Sequence, residues 1–246
     1  MLREEHDGEI TRLVLARTVR GRPLFTVSVY VLGDTLIDSG PPATARELLA
    51  WCRGRGLRRV LHTHHHEDHV GGSPLLAREL GLEVLAPAAT VGMLHRPYAI
   101  PAYRRLVWGQ PRPCPSARPI PARLRVGDWE LLPLPTPGHS HDHTAFFAPA
   151  AGLLLSGDLY VAPRVVYLRK VENARLHLNG LRAAAALAPQ RLLCAHAGPV
   201  ADAAAALAAR ISHWETLAAA GRELYGAGAS LATIRGRLLG REGPMT

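Results

Sequence analysis

Cysteine and lysine are scarce in this sequence. Three of its 246 residues are cysteines, at Cys52, Cys114 and Cys194, and no two of them form a Cys-x-x-Cys pair. An odd number of widely separated thiols argues against a disulfide framework and indicates reduced cysteines. None of the three stands in a sequence context that suggests a catalytic thiol.

Long apolar runs are missing as well. Residues 1 to 10 are dominated by charged side chains, so they lack the apolar core of a secretory signal. No later run approaches the roughly 20 apolar residues of a membrane-spanning helix. Both absences predict a cytoplasmic protein without membrane association. The hydrophobic content of 48% is ample for a folded core, and the length suits one large domain or a domain with an appendage.

The basic side chains are almost all arginine. Lys170 is the only lysine among 29 basic residues, which leaves 28 arginines spread from Arg3 to Arg241. A net charge of +9 and a pI near 10.3 ordinarily suggest nucleic-acid binding. Scattered arginines in an alanine-rich chain instead resemble the compositional bias of a GC-rich genome. Nucleic-acid binding is therefore possible but not favoured, and a small-molecule substrate is expected.

What the chain does contain is a histidine-rich stretch directly after the apolar run Arg59-Val60-Leu61. Residues 62–69 read His-Thr-His-His-His-Glu-Asp-His, which places five histidines and two carboxylates in eight positions. A metal-binding tag would lie at a terminus and would lack the interleaved aspartate and the double glycine that follows. The composition therefore predicts a metal site inside the fold.

The geometry of an extended chain sorts these side chains. Side chains alternate along a strand, so His64 and His66 should point to one side and His65 to the other. Two imidazoles on the same side make half of a metal site. The double glycine then lets the chain turn, which should bring Asp68 and His69 beside the first pair.

The spacing His-x-His-x-Asp-His resembles the signature of the metallo-β-lactamase superfamily. Three further segments match later motifs of that family in the same order: Thr136-Pro137-Gly138-His139-Ser140, Ser156-Gly157-Asp158 and Cys194-Ala195-His196. The resemblance covers residues 10 to 205. It implies an α+β fold, the αββα sandwich, in which two mixed β-sheets pack face to face with helices outside. The site would lie at one edge between the sheets.

The resemblance also implies a dinuclear metal site. One ion would be bound by His64, His66 and His139, and the other by Asp68, His69 and His196, with Asp158 bridging the two. Imidazole and carboxylate ligands without a thiolate suit zinc, although iron or manganese can occupy such sites. We therefore expect two zinc ions as cofactors.

Several residues near these motifs are candidates for supporting roles. Asp38 ends a predicted strand, and it either orients a metal ligand or forms part of a turn. His141 and His143 alternate with His139, so each could be a decoy ligand or a hydrogen-bonding partner of a ligand. The residues after Asp158 that could contact an anionic substrate, or else lie on an exposed loop, are Tyr160, Arg164, Arg169 and Lys170.

The pattern of strands and helices suggests two parts. We predict strands between residues 10 and 40, then alternating helices and strands, and we assign residues 1–208 to the hydrolase domain. Residues 96–121 are irregular and rich in proline, which is typical of a lid or a wrapping loop. Helices are predicted at 201–210, 211–224 and 230–239. Residues 209–246 would form a helical appendage that covers the site, mediates a homodimer or simply packs on a sheet.

The implied function is metal-dependent hydrolysis. In the leading hypothesis a hydroxide that bridges two ions attacks an ester, thioester or lactone carbonyl, and Asp68 holds and shuttles the proton. One alternative is a phosphodiesterase or ribonuclease with the same dinuclear site. Another is an enzyme similar to the sulfur dioxygenases of this fold, with a single iron. The metal ligands alone do not distinguish carbonyl from phosphodiester chemistry.

Overall fold

The computed structural model describes residues 1–96, 98–164, 169 and 171–239. In chain order, its strands are β1 (Leu2–Asp7), β2 (Ile10–Leu15), β3 (Thr18–Val19), β4 (Arg22–Pro23), β5 (Val27–Leu32), β6 (Thr35–Ile37), β7 (Arg59–Leu61), β8 (Glu83–Ala86), β9 (Arg118–Pro119), β10 (Leu124–Val126), β11 (Trp129–Pro135), β12 (Thr144–Ala148), β13 (Leu153–Gly157), β14 (Arg191–Cys194) and β15 (Gly198–Val200). The α-helices are α1 (Ala45–Cys52), α2 (Glu67–Val70), α3 (Ser73–Leu80), α4 (Ala88–Leu94), α5 (Ala102–Val107), α6 (Ala174–Ala186), α7 (Ala203–Gly226) and α8 (Leu231–Leu238). Short 3-10 helices occupy Pro42–Thr44 and Pro149–Ala151.

Two mixed sheets form the centre of the part of the chain that the structure describes. The first has the order β1-β2-β5-β6-β7-β8-β9, antiparallel from β1 to β6 and parallel from β6 to β9. The second has the order β10-β11-β12-β13-β14-β15, in which β13 and β14 are parallel and the other neighbours antiparallel. Strands β3 and β4 pair in a separate hairpin. Mixed sheets with flanking helices are what the α+β prediction requires.

Strand β5 is buried on both of its faces. Val27, Val29 and Val31 pack with residues of α1 and α3. Tyr30 and Leu32 point the other way and belong to the cluster between the two sheets. The alternation follows from the period of two along a strand. Because helices cover the outer face, the strand is almost entirely apolar instead of alternating polar and apolar residues.

The second sheet contributes the facing half of the central core. Leu131, Phe146, Leu153 and Leu155 are buried against the inward side chains of the first sheet. The outer face of the second sheet is covered by α6 and α7, whose Leu181 and Leu207 are fully buried there. This arrangement leaves one edge between the sheets where loops from both can meet.

Strand ends bring the sequence motifs together in space at that edge. Strands β6 and β7 are parallel and in register, so Asp38 and the histidine-rich stretch leave the first sheet side by side. In the second sheet, Gly157 of β13 lies opposite Cys194 of β14. The parallel direction of these strands sends Asp158 and His196 out at the same edge. The site is therefore assembled from the carboxyl ends of strands in both sheets.

The structure differs from the prediction at both ends of the chain. The sequence pattern does not predict β1, because charged residues dominate it, yet it pairs with β2 at the edge of the first sheet. The two helices predicted from 201 to 224 are one helix, α7, which Asp202 caps by accepting a hydrogen bond of 2.9 Å from the Ala205 amide. This helix continues through the predicted division at residues 208 and 209, so the backbone has no break there.

Three further elements, α6, α5 and β9, have no counterpart in the prediction. Helix α6 follows the N-cap Asn173, whose side chain accepts a hydrogen bond from the Leu176 amide. The stretch predicted to be irregular, 96–121, contains the short helix α5 and the strand β9. Ser230 caps α8 as predicted, by accepting from the Thr233 amide.

Among the described residues, no helix combines the length and the apolar character that crossing a membrane requires.

Candidate metal centre

The histidine-rich stretch runs from the end of β7 into α2 and is buried almost throughout. His64 and His69 have no exposed surface, and His66 and Asp68 are only 6% and 5% exposed. The rings of His64 and His66 meet edge to face, with centroids 4.6 Å apart and an interplanar angle of 72°. His65 turns away from them, as the alternation along an extended segment predicts, and its Nδ1 lies 2.8 Å from Asp142 Oδ1.

The first group of possible metal ligands comprises His64, His66, His139 and Asp158. One nitrogen or oxygen atom from each residue lies within 4.8 Å of the others. His139 Nε2 is 3.0 Å from His66 Nδ1 and 3.1 Å from Asp158 Oδ2. Four donor atoms from three separate segments thus converge on one point.

The second group comprises Asp68, His69 and His196, whose donor atoms also lie within 4.8 Å of one another. His196 Nε2 is 3.5 Å from Asp68 Oδ2, and His69 Nε2 is 3.8 Å from the same oxygen. Asp158 reaches this group as well, because its Oδ1 is 3.4 Å from His69 Nε2 and 3.3 Å from His196 Nε2. One carboxylate therefore faces both groups, with one oxygen towards each.

The donor atoms fit two divalent cations. Within the described residues, His64 Nε2, His69 Nε2 and Asp158 Oδ1 are buried and have no hydrogen-bond partner. Buried polar atoms are normally paired, because each one left unpaired costs about 1 to 3 kcal/mol. Cations between these atoms would satisfy them. A set of imidazoles and carboxylates without a thiolate suits zinc, iron or manganese.

Charge and burial set the protonation of these histidines. Burial and the neighbouring imidazoles hold the pKa of His64 and of His66 well below the usual value, so both are neutral. Burial alone would lower the pKa of His196, but Asp158 and Asp68 outweigh it and raise that pKa to about 9. A cation that binds there must displace a proton, because only the neutral imidazole is a ligand.

The family model of the metallo-beta-lactamase superfamily matches residues 22–205. The chain belongs to this superfamily. The matched residues include both groups of possible ligands and every motif on which the predicted resemblance depends. The prediction of the family is confirmed.

Curated relatives of this superfamily member are named hydroxyacylglutathione hydrolases. The one from Ectopseudomonas mendocina is 29% identical over 167 residues, which cover 63% of this chain and 54% of the relative. The one from Acidiphilium cryptum is 32% identical over 199 residues, which cover 76% of this chain and 73% of the relative. The chain spans about half the length of several of these relatives.

Solved structures of superfamily members share the fold. A metallo-beta-lactamase family protein from Thermus thermophilus superposes with a TM-score of 0.69 at 22% identity, over 95% of this chain and 88% of that one. A beta-lactamase domain protein from Burkholderia ambifaria gives a TM-score of 0.73 at 22% identity, over 96% and 84% of the two chains. The predicted αββα sandwich is confirmed.

Asp38 supports the second group of this superfamily site. It is 2% exposed and adopts a left-handed backbone conformation with φ of 64°. Its carboxylate accepts hydrogen bonds of 2.7 Å from His69 Nδ1 and 2.9 Å from the Thr63 amide. The contact fixes which ring nitrogen of His69 carries the proton, and it would leave Nε2 available to a metal ion. Of the two roles predicted for Asp38, these contacts favour the orientation of a ligand.

His143 contacts the backbone of Asp158. Its Nε2 accepts a hydrogen bond of 3.0 Å from the Asp158 amide, and its Nδ1 lies 2.8 Å from Thr136 Oγ1. Burial and the nearby His139 lower the pKa of His143 to about 3, which keeps the ring neutral and able to accept. Gly157 is required beside it, because a Cβ there would lie 2.8 Å from His143 Nε2. His143 is thus a partner of a ligand, whereas His141 is exposed and lies outside both groups.

A carboxylate that the sequence prediction missed contacts His139, one of the possible ligands. Glu172 Oε1 lies 3.2 Å from His139 Nδ1, on the side of the ring opposite Asp158. The contact would hold the ring of His139 in its orientation. Glu172 is 33 positions away in sequence and stands outside any recognised motif, so only the three-dimensional fold indicates this role.

A cavity of about 530 Å³ opens in front of the two groups. Its wall includes four arginines, Arg104, Arg164, Arg169 and Arg210. Apolar and aromatic side chains form another part of the wall, namely Phe25, Tyr103, Val107, Trp108 and Trp214, and residues of the two donor groups line it as well. Two of the predicted substrate residues, Arg164 and Arg169, line this cavity. Arg210 and Trp214 come from α7, which places part of the predicted appendage directly at the site.

Tyr160 does not fulfil the predicted role. Its side chain is 3% exposed and packs in the cluster beneath α6 and α7, and it is not among the residues of the cavity wall. The reason is the turn after Asp158, in which the Leu159 amide donates to the Ser156 carbonyl and the chain then heads into the core. Lys170, the fourth predicted substrate residue, lies outside the described residues.

Helix α5 belongs to the proline-rich segment 96–121, for which a lid or a wrapping loop was predicted, and it contacts the site. From this helix, Arg104 Nε donates a hydrogen bond of 2.6 Å to Glu67 Oε1, and its NH2 lies 4.0 Å from Asp68 Oδ1. Glu67 is completely buried. Burial and Asp68 raise the pKa of Glu67, and Arg104 opposes that shift. The arginine thus ties α5 to the segment that carries the possible metal ligands.

We expect Arg104→Gln to lower kcat/KM roughly ten- to hundred-fold, the range for partners behind metal ligands. The variant leaves the buried Glu67 without its cation and releases α5 from Asp68. Limited proteolysis should also cut residues 96–121 faster than in the wild type. Arg105→Gln is the matched control, because Arg105 is the exposed neighbour on the same helix. Equal kinetics and equal cleavage in the two variants would exclude a role of this ion pair.

Proposed function

We propose that this chain is a dinuclear metal-dependent hydrolase that cleaves a thioester or a related ester. The observation that carries the proposal is Asp158, whose two oxygens each face one of the two groups of donor atoms. A single cation would use only one of those groups. The names of the relatives, hydroxyacylglutathione hydrolases, support a thioester as the bond that is cleaved.

Each proposed ligand has a specific role. One ion would be held by His64, His66 and His139, and the other by Asp68, His69 and His196. The carboxylate of Asp158 would contact both ions. Ions bound there supply an activated water at neutral pH and polarise the bond under attack. Within the described part of the chain, Asp68 Oδ1 has no hydrogen-bond partner, so this carboxylate is available to accept the proton of the attacking water.

The cavity indicates the kind of substrate. The wall has four arginines, of which Arg104 pairs with Glu67 and Arg169 lies 3.6 Å from Glu172. The positive charge that Arg164 and Arg210 add favours a substrate that carries negative charge away from the cleaved bond. The apolar side of the wall, with Trp108 and Trp214, favours a substrate with an apolar portion. A small anionic thioester meets both conditions.

The test is a panel of substrates assayed in parallel with the wild type and with Asp158→Ala. It contains a hydroxyacylglutathione thioester, a lactone, an aryl ester, a phosphodiester and RNA. We expect the fastest turnover with the thioester and its loss in the variant. A different result would favour the phosphodiesterase alternative. In that case the wild type turns over RNA or the phosphodiester, Asp158→Ala does not, and neither protein turns over the thioester, the lactone or the aryl ester.

Metal content gives an independent prediction. The purified chain should hold about two divalent ions, with zinc as the first expectation, because the donor atoms form two groups that share Asp158. Elemental analysis after gel filtration is the measurement. A single iron per chain that added zinc does not replace would support the sulfur-dioxygenase-like alternative instead.

A further inference from the structure

We propose that His65, His141 and Asp142 form a third divalent-cation site, suited to zinc, on the outer side of the histidine-rich stretch. The three residues come from two separate loops. His65 stands between β7 and α2, and the other two stand between β11 and β12. The site would be separate from the two groups that surround Asp158.

The donor atoms are already close together. One ring nitrogen from each histidine and one oxygen of Asp142 lie within 4.8 Å of one another. His65 Nδ1 and Asp142 Oδ1 are 2.8 Å apart, a spacing similar to the 3.0 Å between His66 Nδ1 and His139 Nε2 in the first group. Two imidazoles and one carboxylate, with water in the fourth position, are a common zinc environment.

Asp142 is held in place for this role. Its Oδ2 accepts hydrogen bonds of 2.9 Å from the His65 amide and 2.6 Å from Thr90 Oγ1. These bonds fix the carboxylate and leave Oδ1 directed at the His65 ring. Such supporting bonds are typical of carboxylates that bind metals, because they orient the ligand atom. Tyr98 also donates to the His65 carbonyl, which fixes the backbone on the other side.

The position of the cluster allows it to fill independently of the main centre. His141 is exposed, and His65 is partly exposed, so a hydrated cation can reach both from solvent. None of the three residues is part of the wall of the 530 Å³ cavity. The alternation that turns His64 and His66 inwards turns His65 outwards. The same stretch of chain therefore presents imidazoles to two separate sites.

A purely structural role for the cluster predicts something different. If Asp142 serves only to hold the loop, the hydrogen bond to His65 is sufficient and His141 is a dispensable surface residue. His141→Ala distinguishes the two, because it removes one proposed ligand and leaves the contacts of Asp142 with His65 and Thr90 intact. Because His141 is exposed, we expect the alanine variant to fold like the wild type.

The experiment uses the full chain without an affinity tag, stripped with a chelator and titrated with zinc against a chromophoric chelator. We expect the wild type to bind one more zinc ion per chain than His141→Ala. His6→Ala is the matched control, since His6 is an exposed histidine on β1 and its loss should leave the wild-type number. Equal numbers of ions in the wild type and in His141→Ala would overturn the proposal. The readout is the difference in bound zinc between the wild type and His141→Ala. The result therefore does not depend on whether the main centre holds two ions.

Discussion

Replacing Asp158 by alanine should lower kcat at least about a thousand-fold, which corresponds to about 4 kcal/mol at 1.36 kcal/mol per factor of ten. The reason is geometric. Asp158 Oδ2 is 3.1 Å from His139 Nε2, and Oδ1 is 3.3 Å from His196 Nε2, so one side chain joins both groups of donors. Without it the two groups lose their shared ligand and the negative charge that balances three imidazoles. Metal content should fall together with turnover.

Two variants make this result specific. Asp158→Asn keeps the shape of the side chain and removes its charge, so it should lose most of the activity while retaining the fold. Asp128→Asn changes an exposed aspartate in the turn between β10 and β11 and should leave turnover within a factor of about two. Circular dichroism and thermal melting verify the fold of each variant. Wild-type turnover in Asp158→Ala would show that the reaction does not depend on the shared carboxylate.

The sequence was sufficient for the fold because local signals and tertiary packing agree along most of the chain. In β5, alternate residues face the helices and the second sheet, and the apolar run from Val27 to Leu32 already indicates burial on both faces. Strand β1 lacks such a signal, since its charged residues match an edge strand open to solvent. Its place depends on pairing with β2, which no local pattern encodes.

The two groups of possible metal ligands could be predicted for a similar reason. His64, His66, Asp68 and His69 are concentrated in one stretch, and the other members stand in short motifs at strand ends. Residues that meet the site only through tertiary structure gave no such signal. Arg104 contacts Glu67 across 37 positions, and Trp214 reaches the cavity from α7. Their positions depend on how α5 and the last long helix pack, which is a property of the whole fold.

Tyr160 is a residue that the sequence placed at the site and the structure does not. Proximity in sequence to Asp158 suggested a role at the site, and the structure places its side chain in the core. A residue two positions from a ligand can point anywhere once the strand has ended and the chain turns. Burial against α6 and α7 removes the ring from water, which favours packing over substrate contact for an aromatic side chain.

The second large effect is expected at Asp38. Asp38→Ala should weaken zinc binding at the second group about ten- to hundred-fold, the range for residues that orient metal ligands. Burial alone would raise the pKa of Asp38, but His69 and His62 outweigh it and hold that pKa far below the usual range. The carboxylate is therefore ionised and accepts from His69 Nδ1 at 2.7 Å. Without it, the His69 ring is no longer held with Nε2 directed at the metal.

The same substitution should reduce the free energy of unfolding of the metal-free protein by about 3 kcal/mol, because it leaves buried donors of Thr63 and His69 unpaired. Alanine is also disfavoured at the φ of 64° that Asp38 adopts, whereas asparagine tolerates it. Asp38→Asn should accordingly recover part of the stability and little of the zinc affinity. Asp34→Asn is the control, since Asp34 lies in the preceding turn and is partly exposed, and its ion pairs contribute less than about 1 kcal/mol. The asparagine Oδ1 can still accept from the buried Thr35 hydroxyl, as Asp34 Oδ1 does at 2.8 Å. Denaturant unfolding in the presence of a chelator measures the stability, and a competitive zinc titration measures the affinity. If Asp38→Ala matched Asp34→Asn in both, the carboxylate would have no part in orienting His69.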